Sequence, residues 1–508
     1  MSRETNADEV RRCVPVAVVW ELTLTCNLKC QHCGSRAGRP RANELTTAEA
    51  LDVVDQLARL GAREIGLIGG EAFLRKDWIQ IVRRIASHGI RCAIQTGGRQ
   101  LTKERIQQAA DAGLKQIGVS IDGLEALHDR MRGVPGSFRM AVDALHRAKA
   151  AGLEVTVNTS IACDTLPDLP GILDIIADAG VTVWQTQIAV AMGNAVDNDH
   201  ILMQPHQMLE LMPLLARLFH EGKKRGVWMD GGNNIGYFGP YEHLWRPRGN
   251  ERDHWAGCTA GQSVIALEAD GTVKGCPSLA TVGFAGGNVR DTTLEEIWNT
   301  RKEIHFARLR SVEDLWGFCR TCYYADVCRA GCTWTSHSLL GRAGNNPYCH
   351  YRALELEKQG LRERIAKLHD APDKPFAIGE FEIILEPIPG KDPQMFLQSS
   401  SPHRAQLVQI QPSASGVPNA AGEATPSIIP AGSAPASSVP EGYVAPTLDL
   451  CRACSQYIYP HEVTCPHCGA NVAQAAAAHE EATRKRKALM ASMAELIRKR
   501  EQRSAHAQ

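Results

Sequence analysis

From residue 14 to about residue 225 the chain repeats one pattern, a short apolar run followed by a longer amphipathic one. The strand signals are "VPVAVVWELTLT", "EIGLIGG", "IRCAIQTGG", "LKQIGVSIDG", "LEVTVNTSI" and "VTVWQTQIAV". After the first of them, "TTAEALDVVDQLARLG" has helical periodicity, with Thr46 or Thr47 as its N-cap and Gly61 as its stop. Further helices are predicted at "WIQIVRRIASHG", "TKERIQQAADAG", 137–151, 167–179 and 206–224. Six such βα units predict an α/β fold with a parallel sheet. Six rather than eight suit a partial (β/α)6 barrel of the TIM type over residues 14–225, with chemistry at the carboxyl ends of its strands. Three motifs fall there: a cysteine loop after the first strand, "GGE" after the second and "SIDG" at the end of the fourth.

Composition narrows the compartment and the partners. The formal net charge is zero, which points to neither a nucleic-acid nor a membrane partner. No run of about 18 apolar residues is present. The start, "MSRETNADEVRRC", lacks the apolar core of a signal peptide, so a cytoplasmic location is expected. Seventeen cysteines is many for such a chain. In a reducing compartment, clustered cysteines read as metal ligands rather than disulfides. Three lie at 26–33, seven between 258 and 349, and four between 451 and 468; Cys13, Cys92 and Cys163 stand alone and read as small hydrophobes.

The first cluster, "CNLKCQHC", holds Cys26, Cys30 and Cys33 at spacing C-x3-C-x2-C. Cubane and structural zinc sites take four protein ligands. Three thiolates would leave one iron of a 4Fe–4S cube open, and an open position marks a catalytic metal site. A zinc ion completed by His32 fits the same residues.

This stretch resembles the signature of the radical S-adenosylmethionine (SAM) superfamily, and the likeness runs on through the barrel. Gly69, Gly70 and Glu71 stand where the family has the glycine-rich turn that receives the methionine amine. His32 occupies its aromatic position beside the last cysteine. Ser120 and Asp122 stand where the family has ribose and methionine contacts, and Arg132 and Asn158 resemble further cofactor contacts. Ala72 follows the glutamate where the family often has proline. The resemblance implies that the methionine amine and carboxylate chelate the open iron, and that one electron then releases a 5′-deoxyadenosyl radical. It also implies a reductant such as flavodoxin or ferredoxin.

Cys258 and Cys276, then Cys319, Cys322, Cys328 and Cys332 at C-x2-C-x5-C-x3-C, and finally Cys349, resemble the SPASM extension of these enzymes. Two auxiliary 4Fe–4S clusters follow, for three in all. By resemblance, Cys319, Cys322, Cys328 and Cys349 hold one. Cys258, Cys276 and Cys332 hold the other, leaving an iron open or ligated by a group other than cysteine; a fourth cysteine ligand such as Cys163 would overturn this. Pro277 stands where relatives that oxidise sulfatase side chains carry an aspartate, which argues against that activity.

The rest of the chain is assigned as a Gly- and aromatic-rich connector at 226–257, a SPASM domain at 258–370 closed by a helix at 350–369, and a flexible Pro/Ser/Ala/Gly linker at 391–446. In the SPASM domain, "DG" within "SVIALEADGTVKGC" signals a hairpin. Residues 447–471 contain "CRACSQYIYPHEVTCPHCGA", whose Cys451, Cys454, Cys465 and Cys468 read as a closed, zinc-ribbon-like site, with iron as the alternative. A module this short depends on its metal to fold, and docking is its expected role. Residues 474–503 read as a basic amphipathic helix with Leu489, Met493, Leu496 and Ile497 on one face; its basic runs are weak signals for nucleic acid.

The resemblance spans 14 to about 365. Within it, "GFCRTCYYADVCRAGCTW" looks like maturases encoded beside short precursor peptides, including the subgroup associated with GDL-motif peptides. The expected substrate is therefore a ribosomally made peptide or protein, with a small molecule or tetrapyrrole as the alternative. A non-catalytic iron–sulfur carrier is the alternative of another class. Fewer than 15 residues precede the barrel, so leader recognition is expected from a separate peptide-binding protein or from the C-terminal ribbon.

Overall fold

The computed structural model describes residues 5–246, 253–390 and 446–505. The linker expected at 391–446 lies, but for its last residue, outside them. Seven parallel strands follow in order: β1 (Ala17–Thr23), β2 (Glu64–Gly69), β3 (Arg91–Thr96), β4 (Gln116–Ser120), β5 (Glu154–Ile161), β6 (Val183–Ile188) and β7 (Trp228–Gly231). β8 (Val264–Leu267) pairs parallel with β1, and β9 (Thr272–Lys274) and β10 (Ala285–Asn288) continue antiparallel beyond it. The sheet therefore runs β10-β9-β8-β1-β2-β3-β4-β5-β6-β7 and keeps two edges.

Alternation along the strands builds the two faces of this barrel. Val18, Trp20 and Leu22 of β1 join Ile65, Leu67, Ile94, Ile117, Val119, Val155, Val157 and Trp184 in one buried core with the helices outside. The helix Thr47–Arg59 presents Val53, Val54 and Leu57 to it. A capping box opens that helix, with the Thr46 amide donating to the Glu49 carboxylate at 2.7 Å and the Thr46 hydroxyl accepting from the Glu49 amide. The intervening strand positions, Gln95, Ser120, Asn158, Ser160, Gln185 and Gln187, are half-buried and line the inside.

Three segments depart from expectation. The 226–257 stretch is more than a connector, because its residues 228–231 form the seventh strand, in register with Val183–Thr186. The helix expected at 350–369 ends at Glu357; Gly360 turns the chain at φ +71°, and Leu361–His369 is β11, paired antiparallel with β12 (Glu380–Pro387). Here "RERIAK" follows a period of two, with Glu363 and Ile365 buried on one face. An unforeseen helix, Glu125–Arg132, follows β4. The "DG" hairpin is present, with Gly271 at φ +90° between β8 and β9.

Beyond the barrel, β13 (Asp449–Leu450) and β14 (Tyr457–Ile458) form a small hairpin. A helix from Val472 to Ala505 ends the described chain; the side chains of Leu489, Met493, Leu496 and Ile497 lie outside the described set. Among the described residues no helix is long and apolar enough to cross a membrane. Of the three lone cysteines, Cys92 lies in the barrel core and Cys13 is buried beside Arg308, whereas Cys163 is half-buried and donates to the His200 carbonyl at 3.2 Å.

Candidate active site

β1 delivers the chain to Cys26, Cys30 and Cys33 at the carboxyl end of the sheet. The loop is pinned on three sides. Gly38 donates to the Leu24 carbonyl at 2.8 Å. Lys29 and Gln31 donate to the carbonyls of Arg132 and Met131, at 3.0 and 2.8 Å, in the last turn of the Glu125–Arg132 helix. Asn194, after β6, holds the other side, donating to the Cys30 carbonyl from its side chain at 2.9 Å and to the Cys33 carbonyl from its backbone at 3.1 Å. Arg36 closes that side by donating to Asn194 at 2.9 Å and pairing with Asp197 at 2.5 Å. Burial pushes the Cys26 thiol up to about 11 and the Cys30 thiol up to about 12, with Arg132 opposing the latter. A bound metal removes those protons outright.

The glycines of "GGE" have a steric duty. A side chain on Gly69 would meet the Thr23 carbonyl at 2.1 Å, and one on Gly70 the Thr25 carbonyl at 2.2 Å. Only glycine lets the turn lie against the chain that enters the cysteine loop. Gly70 and Glu71 each donate to those carbonyls at 2.8 Å. The Glu71 carboxylate is buried and accepts from the Gly97 amide at 2.7 Å and from the Thr96 hydroxyl. Burial pushes it up to about 7 against those two donors.

Asp122 comes to the same end of the sheet and is wholly buried. One oxygen accepts from the Ser160 amide at 3.0 Å; the other meets Arg132 at 2.6 Å and His32 Nε2 at 3.3 Å. Burial pushes its carboxyl up, and Arg132 with His32 more than offsets that, leaving it below its usual value. Burial holds His32 neutral, down to about 4. Arg132 donates onward to the Cys30 sulfur at 3.6 Å. Ser120 accepts from Gln95 at 3.1 Å and lies opposite Asn158, which lies opposite Gln185. Of the eight residues singled out as cofactor contacts, Gly69, Gly70, Glu71, Ser120 and Asp122 lie at the carboxyl ends of β2 and β4, Asn158 lies on β5, His32 in the cysteine loop and Arg132 in the helix after β4. Asn194, Arg36 and Phe376, whose amide donates to the Gly34 carbonyl at 3.0 Å, carried no local signal.

The seven middle cysteines form two groups. Cys319, Cys322, Cys328 and Cys349 line one cavity, walled by Tyr237, Phe238, Tyr324 and Tyr351. The amides of Asn346, Tyr324 and Arg352 donate to three of its sulfurs at 3.4, 3.4 and 3.5 Å. Four inward thiols with amide donors fit a fully ligated cluster, and such donors tune its potential. Cys258, Cys276 and Cys332 interact electrostatically with one another, and Cys258 and Cys332 also with the half-buried Arg310. The neighbours of Cys163 are Asp164 and His200 instead. In the tail, the sulfurs of Cys451, Cys454, Cys465 and Cys468 lie within 4.8 Å of one another, with pairs at 3.9 and 3.7 Å. Tetrahedral zinc with bonds of about 2.3 Å needs sulfurs about 3.8 Å apart.

Comparison with known proteins agrees with this architecture. The Radical SAM superfamily profile matches residues 20–168, and the SPASM profile, an iron-sulfur cluster-binding domain, matches 258–323. An AdoMet-dependent heme synthase of Oleidesulfovibrio alaskensis is 29% identical over 350 residues, covering 66% of this chain and 87% of that protein. The mycofactocin maturase MftC of Mycobacterium tuberculosis is 28% identical over 321 residues, covering 63% and 78%. The crystal structure of Streptococcus suis SuiB bound to S-adenosylmethionine superposes with a TM-score of 0.52 at 15% identity, over 66% of this chain and 76% of that one.

Proposed function

From the premise that this chain is a radical SAM enzyme with a SPASM domain, we propose that it modifies a ribosomally synthesised peptide or protein. When bound, the cluster on Cys26, Cys30 and Cys33 together with S-adenosylmethionine supplies a 5′-deoxyadenosyl radical for hydrogen abstraction. The chain's own residues bind and orient. The Gly69–Gly70–Glu71 turn receives the methionine amine, and Ser120 and Asn158 offer polar groups at the strand ends. Asp122 acts indirectly, holding Arg132 against Cys30 and contacting His32, which burial keeps neutral. Cys319, Cys322, Cys328 and Cys349 hold one auxiliary cluster and Cys258, Cys276 and Cys332 the other, while zinc fills the C-terminal site.

The observation that carries the peptide reading is the inside of the barrel. Its sheet is not closed into a ring, with β10 and β7 as its two edges. Its wall offers neutral amides and hydroxyls in Gln95, Ser160, Gln185 and Gln187. These match the donors and acceptors of a peptide backbone better than the carboxylates of a tetrapyrrole. SuiB has been crystallised bound to its precursor peptide SuiA, which supports the same reading. A tetrapyrrole substrate is the second reading, favoured by the relatives named as heme synthases.

The test is anaerobic turnover of reconstituted, reduced enzyme with S-adenosylmethionine, offered short peptides bearing a Gly-Asp-Leu motif or iron-coproporphyrin. Expected are 5′-deoxyadenosine and a mass change on the peptide, both abolished by Cys26→Ala/Cys30→Ala/Cys33→Ala. A mass change on the porphyrin alone overturns the peptide reading.

A further inference from the structure

The C-terminal module is stapled to the wall of the outer auxiliary cavity, the one lined by Cys319, Cys322, Cys328 and Cys349. Leu448 and Tyr457 are fully buried and join an apolar cluster with Tyr237, Phe238, Trp255, Phe318 and Tyr324. Four of those five also line the cavity of Cys319, Cys322, Cys328 and Cys349. Polar contacts fix the register. The Tyr324 hydroxyl donates to the Tyr457 carbonyl at 2.6 Å and meets His467 Nε2 at 3.0 Å. The Tyr323 hydroxyl donates to Glu462 and accepts from the Tyr459 amide, both at 3.1 Å. Leu448 donates to His254 at 3.1 Å, and the Tyr457 hydroxyl donates to the Asp253 carbonyl at 2.7 Å.

The junction joins two metal sites. Tyr324 lies two residues beyond Cys322, and its amide donates to that sulfur. His467 lies within the second cysteine pair of the module, between Cys465 and Cys468. The His467 ring stacks on Tyr324 at 5.7 Å and packs edge-on against Tyr351 at 5.7 Å, and both tyrosines wall the cavity. Tyr324 interacts electrostatically with Cys322 on one side and with Cys454 on the other.

We propose that the metal-loaded C-terminal module is the outer wall of the outer auxiliary cluster. A tetrahedral divalent metal on Cys451, Cys454, Cys465 and Cys468 fixes His467 and Tyr457 against Tyr324, and this contact keeps water and oxygen from a cluster held by Cys319, Cys322, Cys328 and Cys349. The module has little core beyond its cysteines, Ile458 and Val472, so losing its metal releases the wall. The proposal rests on the reading of those four SPASM cysteines as cluster ligands.

The experiment uses full-length protein reconstituted anaerobically with iron, sulfide and zinc. Iron and zinc are counted, and the bleaching of the iron–sulfur absorbance in air is timed. Cys465→Ser/Cys468→Ser is expected to lose its zinc and to bleach about one third of its absorbance, one cluster of three, much faster than wild type. Tyr324→Phe keeps the ring against Phe238 but drops the hydroxyl that joins the two sites. It is expected to retain both metals and to bleach that third about fivefold faster, the factor for one hydrogen bond worth about 1 kcal/mol. Wild-type bleaching in a zinc-free double variant, or in Tyr324→Phe, overturns the proposal. Should Cys319→Ser leave the iron content unchanged, the reading of the cavity as a cluster site falls, and the proposal with it.

Discussion

Arg132 pairs with Asp122 at 2.6 Å while another of its nitrogens approaches the Cys30 sulfur at 3.6 Å. One guanidinium therefore ties a carboxylate at the end of β4 to the loop after β1. Because Asp122 is wholly buried, Asp122→Asn would leave Arg132 charged, desolvated and without its counterion. Breaking such a pair costs about 3–5 kcal/mol. The denaturant midpoint of Asp122→Asn should fall accordingly, with cluster incorporation reduced at fixed iron and sulfide. A midpoint within error of wild type would mean that Arg132 is compensated elsewhere.

Glu71 gives a pH test with a definite sign. Its carboxyl is pushed up to about 7 by burial, whereas in the unfolded chain it ionises near 4.5. Between those values the unfolded state has released a proton that the native state keeps. Its contribution to stability therefore falls as pH rises from about 4.5 to about 7, and levels off above. His32 acts in the opposite sense: held down to about 4, it contributes stability that is lost as pH drops below about 6.5. Glu71→Gln removes only the first effect. Comparing metal-free wild type and Glu71→Gln by denaturant unfolding, the balance should move toward the variant by up to about 3 kcal/mol between pH 4.5 and 7.5. Parallel curves would refute this.

Gly70 and Gly89 should behave very differently. A methyl group on Gly70 would lie 2.2 Å from the Thr25 carbonyl, so Gly70→Ala must displace the entry to the cysteine loop. Gly89 has φ +72° with open space around it, so Gly89→Ala carries only backbone strain, about 1–3 kcal/mol. Iron incorporated at Cys26, Cys30 and Cys33, the proposed cluster ligands, read by electron paramagnetic resonance of the reduced protein, should drop sharply in the first variant and stay at the wild-type level in the second.

The tip of the β11–β12 hairpin offers a fourth test. The Phe376 ring lies under the ammonium of Lys274 at 4.2 Å, and its amide holds Gly34. Lys274 is itself buried against Glu268 at 2.7 Å, two residues before Cys276. Phe376→Ala removes an apolar anchor from the middle of this chain, at a cost of about 3–5 kcal/mol if the site does not collapse. Amide hydrogen exchange should accelerate both at 371–379 and around Gly34; acceleration confined to 371–379 would show that the tip does not brace the cysteine loop.

The barrel was legible because its signals are local. The strands alternate, the helices carry amphipathic stripes, and Thr46 and Gly61 cap one of them within a few residues of sequence. The seventh strand was hidden because "WMDG" is too short to show a period, and it forms by pairing with β6. The first strand of the β11–β12 hairpin reads as helix because "RERIAKLH" continues helix-favouring composition past Gly360, where the chain turns at positive φ. The same division holds at the site. Cys26, Cys30, Cys33, Glu71 and Asp122 announce themselves in short motifs. Arg36 and Asn194 meet across 158 residues of chain, and a partnership at that range leaves no trace in either neighbourhood. Asp122 lies in such a motif, but its ties to Arg132 and to the Ser160 amide join it to a following helix and to the next strand, which the motif does not contain.

The pairing of β8 with β1 bears on how such chains can be recombined. Ala17 to Trp20 hydrogen-bond on one side to β2 and on the other to Val264–Leu267, which belongs to the cysteine-rich half. A cut between the halves would strip the first barrel strand of a neighbour and expose a sticky edge beside the cysteine loop. The auxiliary unit is thus a graft that has become part of the trunk: exchanging it between relatives means carrying β8 to β10 along, or rebuilding the edge of β1 to live without them.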